Sequence, residues 1–122
     1  MSRDFDWETV KPYFDFDGDN SVQTINGSDG LLFTLNVYNI NNTDAWIQLF
    51  DAVNPSVGTP ILAYLIPKGD ATASGLLNLN FGKDGLVFTD SIKYACTTTA
   101  NGSGDPSVGL VVNATYANLS GS

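Results

Sequence analysis

About eight short apolar runs recur along the chain from Val22 to Ala117, each closed by Gly, Asn, Asp, Ser or Pro. That spacing leaves no room for a helix of ordinary length and constrains the fold more than any other feature. The runs are "VQTI" (22–25), "LLFTLNVYN" (31–39), "AWIQLFDA" (45–52), "PILAYLI" (60–66), "GLLNLNF" (75–81), "LVFT" (86–89), "IKYACTTT" (92–99) and "VGLVVNATYA" (108–117). Several alternate with period two, as half-buried strands do. The alternation groups Leu31, Phe33, Leu35 and Val37 on one face; Leu77, Leu79 and Phe81; Ile92, Tyr94 and Cys96; and Val108, Leu110, Val112, Ala114 and Tyr116. Asn26-Gly27 and Asp29-Gly30 supply the positive φ that tight hairpins need. The pattern predicts an all-β chain, a two-sheet antiparallel β-sandwich of about eight strands, either jelly-roll or immunoglobulin-like, because strand order is not written in one sequence.

Two runs are apolar on both faces. In "AWIQLF", Ile47 and Leu49 oppose Trp46 and Phe50. In "PILAYLI", Ile61, Ala63 and Leu65 are assigned to the core, with Leu62, Tyr64 and Ile66 outward. A sandwich strand ordinarily wets one face. The outward face of these strands therefore needs a cover, either long loops and the N-terminal segment or another subunit.

Residues 1–20 differ in composition from residues 21–122, which form the sandwich domain in this reading. The first segment gathers Phe5, Trp7, Tyr13, Phe14 and Phe16 among six of the thirteen acids. It reads either as an arm carrying aromatic anchors or as a pre-strand segment folded over the end of the domain. Phe5, Trp7, Tyr13, Phe14, Trp46, Phe50 and Tyr64 are the candidate interface residues.

The chemistry available is narrow. The chain has no histidine, so the commonest general base and metal ligand is missing. Its one cysteine, Cys96, falls at an inward position and reads as a small buried thiol. "GSGDPSVG" has the glycines of a phosphate cradle but no lysine, and it precedes a strand. The chain is therefore expected to be no enzyme and to hold no cofactor. The net charge of −8 cannot present the positive face that nucleic acid or an anionic membrane requires. The first residues lack an apolar core of signal-peptide length. No run approaches the roughly 20 apolar residues of a membrane span. Synthesis and folding in a reducing cytoplasm are expected, and the five Asn-x-Ser/Thr triplets are read as compositional.

"FDFDGDNSVQTIN" (14–26) resembles a calcium loop, with Asp15, Asp17 and Asp19 at the first three ligand positions. Position twelve is Asn26, which cannot give the bidentate carboxylate, and no helices flank the loop. The segment is read as a solvated acidic turn in which "DGDN" reverses the chain ahead of the first strand.

The series "VYNINNTDAWIQLFDA", "GTPILAYLIPKG", "LNFGKDGLVF", "SIKYACTTTA" and "GLVVNATYA", in that order, resembles small β-sandwich virion proteins of tailed bacteriophages: capsid decoration (cement) proteins and related head-associated proteins. The likeness runs from about Leu31 to Ala117. It implies a non-enzymatic protein on the capsid surface, made in the host cytoplasm. Its partners would be the major capsid protein and further copies of itself, with a trimer favoured. The alternative is a carbohydrate-binding sandwich carried on a virion, with Trp46, Tyr64 and Trp7 as the stacking aromatics.

Overall fold

The computed structural model describes residues 10–70 and 72–119. Among them are nine strands: β1 (Lys11–Gly18), β2 (Gln23–Asn26), β3 (Gly30–Asn39), β4 (Ala45–Phe50), β5 (Leu62–Ile66), β6 (Gly75–Asn80), β7 (Leu86–Phe88), β8 (Ile92–Thr97) and β9 (Leu110–Asn118). They form two antiparallel sheets. Sheet A runs β1-β9-β3-β6, with β7 also paired to β3, and sheet B runs β2-β8-β4-β5.

The pairings are nested. β4 pairs with β5, β3 with β6 and β7, β2 with β8, and β1 with β9, alternating between the sheets. A single long antiparallel ribbon rolled up on itself gives this order, so the sandwich is a jelly roll and the immunoglobulin alternative falls away. The core lies between the sheets and contains Leu32, Leu35, Val37, Ile47, Leu49, Ile66, Phe88, Ile92, Tyr94, Cys96, Leu110 and Val112.

All eight predicted runs are strands, and the faces predicted for β6 and β8 hold. On β9, Leu110, Val112, Ala114 and Tyr116 face the core as expected, while Val108, ahead of the strand, is exposed. The segment 26–30 is a correction: Gly27 and Gly30 do not have positive φ, and β2 and β3 lie in different sheets, so it crosses between sheets instead of closing a tight hairpin. Three further expectations change. First, "KPYFDFDG" is a full edge strand of sheet A paired to β9, so residues 11–18 belong to the sandwich and "VQTI" begins the second strand. Second, a bulge between Leu32 and Thr34 shifts the phase of β3. Leu32, Leu35 and Val37 enter the core, whereas Leu31 and Phe33 join Ala117 and Val10 in a satellite cluster. Third, β5 is in the opposite phase. Ile47 lies opposite Tyr64 and Leu49 opposite Leu62, so Leu62, Tyr64 and Ile66 face the core. Ile61 and Leu65 are exposed.

Buried amides fix the corners. The Asn39 side chain donates to the Thr43, Ile66 and Pro67 carbonyls and accepts from the backbone and side-chain amides of Asn41. Asn41 exchanges two hydrogen bonds with the Val108 backbone, at 2.8 and 2.9 Å. The Asn-rich turn thus ties the ends of β3 and β5 to the approach of β9.

Candidate functional site

The outward side of sheet A is covered at one end, where Leu31 and Ala117 are buried with Val10 and Phe33, and is open around Asn78, Tyr38, Phe14 and Phe16. Register places its side chains in rows that cross the strands: Val87, Leu31 and Ala117; then Asn80, Thr34, Thr115 and Pro12; then Asn78, Asn36, Asn113 and Phe14; then Leu76, Tyr38 and Val111. Phe16 extends the last row at the irregular end of β1, its ring edge-on to that of Phe14 at 4.5 Å. Phe14 is 50% exposed, Phe16 74%, Tyr38 41% and Leu76 49%. None of these side chains is charged. The acids of the described residues lie in the connections or on the remaining positions of β1. Thr34 and Thr115 share a cross-strand hydrogen bond of 2.6 Å. Beside them a cleft of about 340 Å³ opens between Val10, Phe33, Asn80, Gly82 and Lys83.

The outward side of sheet B is roofed. Ala95, Thr97, Gln48 and Phe50 point away from the core yet are buried. Loops 51–61 and 98–109 lie over them. Gln48 holds the two loops together. Its amide nitrogen donates to Thr97 Oγ1 (3.0 Å) and the Gly102 carbonyl (2.9 Å), and its oxygen accepts from the Gly58 N–H (2.8 Å). Gly58 has φ +101°, and a Cβ there would stand 3.3 Å from the Asn101 carbonyl, so a side chain is disfavoured by both conformation and space. The first loop is anchored by Asp51. Burial works against its charge, but the backbone N–H groups of Thr89, Asp90 and Ser91 and the Thr89 hydroxyl all donate to it. These donors prevail and hold the carboxyl below its ordinary value. At one end the roof stops, leaving half-buried Trp46 opposite exposed Leu65.

The predicted interface residues separate on this geometry. Phe5 and Trp7 lie outside the described residues. Phe14 is on the open face of sheet A, and Trp46 is on the open margin of sheet B. Phe50 is a correction: it is buried beneath the first loop. Tyr64 is another, since it packs on the core and cannot form a stacking platform with Trp46, which points the other way. Tyr13 also turns inward, its hydroxyl 2.8 Å from that of Tyr94. Sequence reasoning missed Phe16, Tyr38, Leu76 and Val111 as a set. The available signal was the uncharged Asn/Thr alternation of β3, β6 and β9, which leaves a face without repulsion as well as without salt bridges.

Nucleophile chemistry finds no foothold at the one cysteine. Cys96 is fully buried, and burial, with Asp15 and Asp19 nearby, pushes its thiol up, away from the reactive thiolate. Tyr94 donates to Asp15, and burial pushes its phenol up as well. The network Tyr13–Tyr94–Asp15 therefore fastens β1 to β8 across the open side of the sandwich. Asp17 and Asp19 are split: the Asp19 carboxylate caps the Ser21 N–H, while Asp17 stands against Gly109. Among the described residues no group of three or more Cys, Asp or Glu is placed to hold a metal ion.

No protein-family model matches the chain, and no curated protein matches it. Among solved structures, the coat protein of Tobacco streak virus is similar with a TM-score of 0.43 and 10% identity, over 93% of this chain and 90% of that one. The dimer of the same coat protein gives 0.42 and 12%, over 96% and 90%. These are proteins of a plant virus, whereas the sequence resemblance is to proteins of tailed bacteriophages. At these identities and TM-scores the likeness does not extend to a shared function.

Proposed function

We propose that the chain is a non-enzymatic structural protein of a virus particle, a bacteriophage capsid decoration protein that sits on the assembled head and bridges its capsomers. The observation that carries this reading is an apolar margin on sheet B and an uncharged, partly apolar face on sheet A, on opposite sides of one sandwich. Bridging needs two contact surfaces that a single neighbour cannot satisfy together. Here the Trp46–Leu65 margin of sheet B and the uncharged face of sheet A point in opposite directions, held apart by a packed core. The jelly roll is used by viral capsid and lectin domains alike, so the fold does not choose between them. The lectin alternative is weakened by the separation of Trp46 from Tyr64.

In this reading Trp46 and Leu65 meet the major capsid protein, and sheet A is left to meet a second copy of the chain. The protein is made in the host cytoplasm and ends on the capsid surface, and the three copies around a local threefold that the resemblance implies would meet through surfaces other than the face of sheet A. The test is co-sedimentation of purified protein with purified heads that lack it. Saturation at a fixed ratio to capsomers is expected. Trp46→Ala should weaken binding by about 2 kcal/mol, about 30-fold, as an aromatic anchor does, with the melting temperature kept within about 2 °C. Absence of binding to heads overturns the reading. So does a Trp46→Ala variant that loses its fold while its folded fraction binds normally.

A further inference from the structure

The open face of sheet A differs from the rest of the molecule in charge. The whole chain carries −8, so an arbitrary surface of one copy repels the same surface of another. This face avoids the penalty, since its rows from Val87 to Phe16 hold no ionisable group apart from the Tyr38 phenol. The rows themselves offer an acidic or basic partner no charge to pair with, although Lys83 stands at the cleft beside Thr34 and Thr115. Its middle row is Asn78, Asn36 and Asn113, running into Phe14. A primary amide is donor and acceptor at once, so a row of amides complements an inverted copy of itself. The apolar margin of Leu76, Tyr38, Val111, Phe14 and Phe16 supplies area that desolvation favours burying.

We infer that this face is an isologous self-association surface: the outer side of sheet A packs on the same side of a second copy. The two-fold axis passes near Asn36 and Asn113, the central pair of the middle row. Face-to-face sheets settle about 10 Å apart with side chains interdigitated, and the exposed aromatics at the β1 edge then cover the Tyr38–Leu76 margin of the partner. The extent of the face sets the strength. Four strands about 4.8 Å apart and three outward residues along each give roughly 400 Å² in projection. A stable dimer buries about 800 Å² on each partner. The pair is therefore expected to be weak in dilute solution, with Kd of about 0.1–1 mM. The inference deepens the structural reading above and rests on it for its setting. Its test uses the purified chain without heads, so the two fail separately.

The experiment is sedimentation at protein concentrations up to about 1 mM, spanning the expected Kd, on wild type, Asn36→Asp, Asn36→Lys and an equal mixture of the two variants. Wild type should show a reversible monomer–dimer equilibrium. Each variant alone places like charges across the axis and should weaken association at least 10-fold, roughly the effect of one close charge pair. The mixture should recover or exceed wild-type association, because Asp then meets Lys. Phe16→Ser, at an exposed edge position, should weaken association about 3-fold or more while leaving the melting curve unchanged. A wild type that stays monomeric overturns the inference. So do variants that associate like wild type, a mixture that fails to recover, or a stoichiometry of three. Attachment of the face to heads or to a neutral glycan, without self-association, reassigns it to that partner and also overturns the proposal.

Discussion

The two outer sides of this sandwich receive opposite treatment. On sheet B the outward residues Gln48, Phe50, Ala95 and Thr97 are as buried as the core, because loops 51–61 and 98–109 close over them. On sheet A no loop of the described residues lies above Asn36, Asn78, Tyr38 and Phe14, and the last three are exposed. The roof of sheet B depends on polar groups being satisfied underneath it: one glutamine reaches two loops at once. Sheet A needs no such device, since amides and hydroxyls there meet solvent or a partner. The contrast separates two meanings of a strand that is apolar on both faces. "AWIQLF" is two-faced because the molecule's own loops cover it except at Trp46, whereas the mixed Asn/aromatic face of β3 is exposed at Tyr38.

Phe50→Ala and Phe16→Ala sharpen the comparison most. The first should cost about 3–5 kcal/mol in urea unfolding, as a buried phenylalanine does. The second should change stability by no more than about 0.5 kcal/mol. Equal effects would mean that the two sides are not differently buried.

Gln48→Leu should cost about 2–3 kcal/mol, because it strands the Gly58 N–H and the Gly102 carbonyl beneath the roof. Asn36→Leu on sheet A should change stability by less than about 1 kcal/mol. Hydrogen exchange should speed up across loops 51–61 and 98–109 in the first variant only.

The smallest effect is expected at Asp51. Its folded carboxyl titrates below the unfolded value, so its contribution is complete above the unfolded pKa and is lost as pH falls through the folded one. Because the group is partly exposed, the contribution should stay below about 1 kcal/mol. Asp51→Asn should remove that part of the acid sensitivity, read as a flatter stability profile below about pH 4.

The strands were legible where one face is apolar and turn residues bound the run, as at β6, β8 and β9. β1 was not, because its pattern is inverted. Phe14 and Phe16 point out, while Tyr13 and Asp15 point in, where both hydrogen-bond to the Tyr94 hydroxyl. β5 was legible as a strand but not in phase, since "LAYLI" has no polar side to orient it. Pairing of Ile47 with Tyr64 sets the phase instead. The bulge at Phe33 similarly lies outside any periodic reading. For the site, the same limits put Phe50 and Tyr64 on a surface they do not occupy, and Tyr38 and Leu76 went unread because each is a single apolar residue among asparagines.

The nested pairing also imposes a timetable. Leu49 meets Leu62 across loop 51–61, whereas Lys11 must wait for Tyr116. Closing that outermost pair carries the largest loop entropy in the chain, and contacts so distant in sequence slow folding. Of the described strands, β1 is made first on the ribosome, and β9, the strand it pairs with, last. Throughout elongation β1 is a strand without a sheet, showing Phe14 and Phe16 to whatever is near. Pro12, Asp15 and Asp17 in that same strand are residues that discourage edge-to-edge pairing, and they guard the nascent chain during the interval in which it is most exposed to its neighbours.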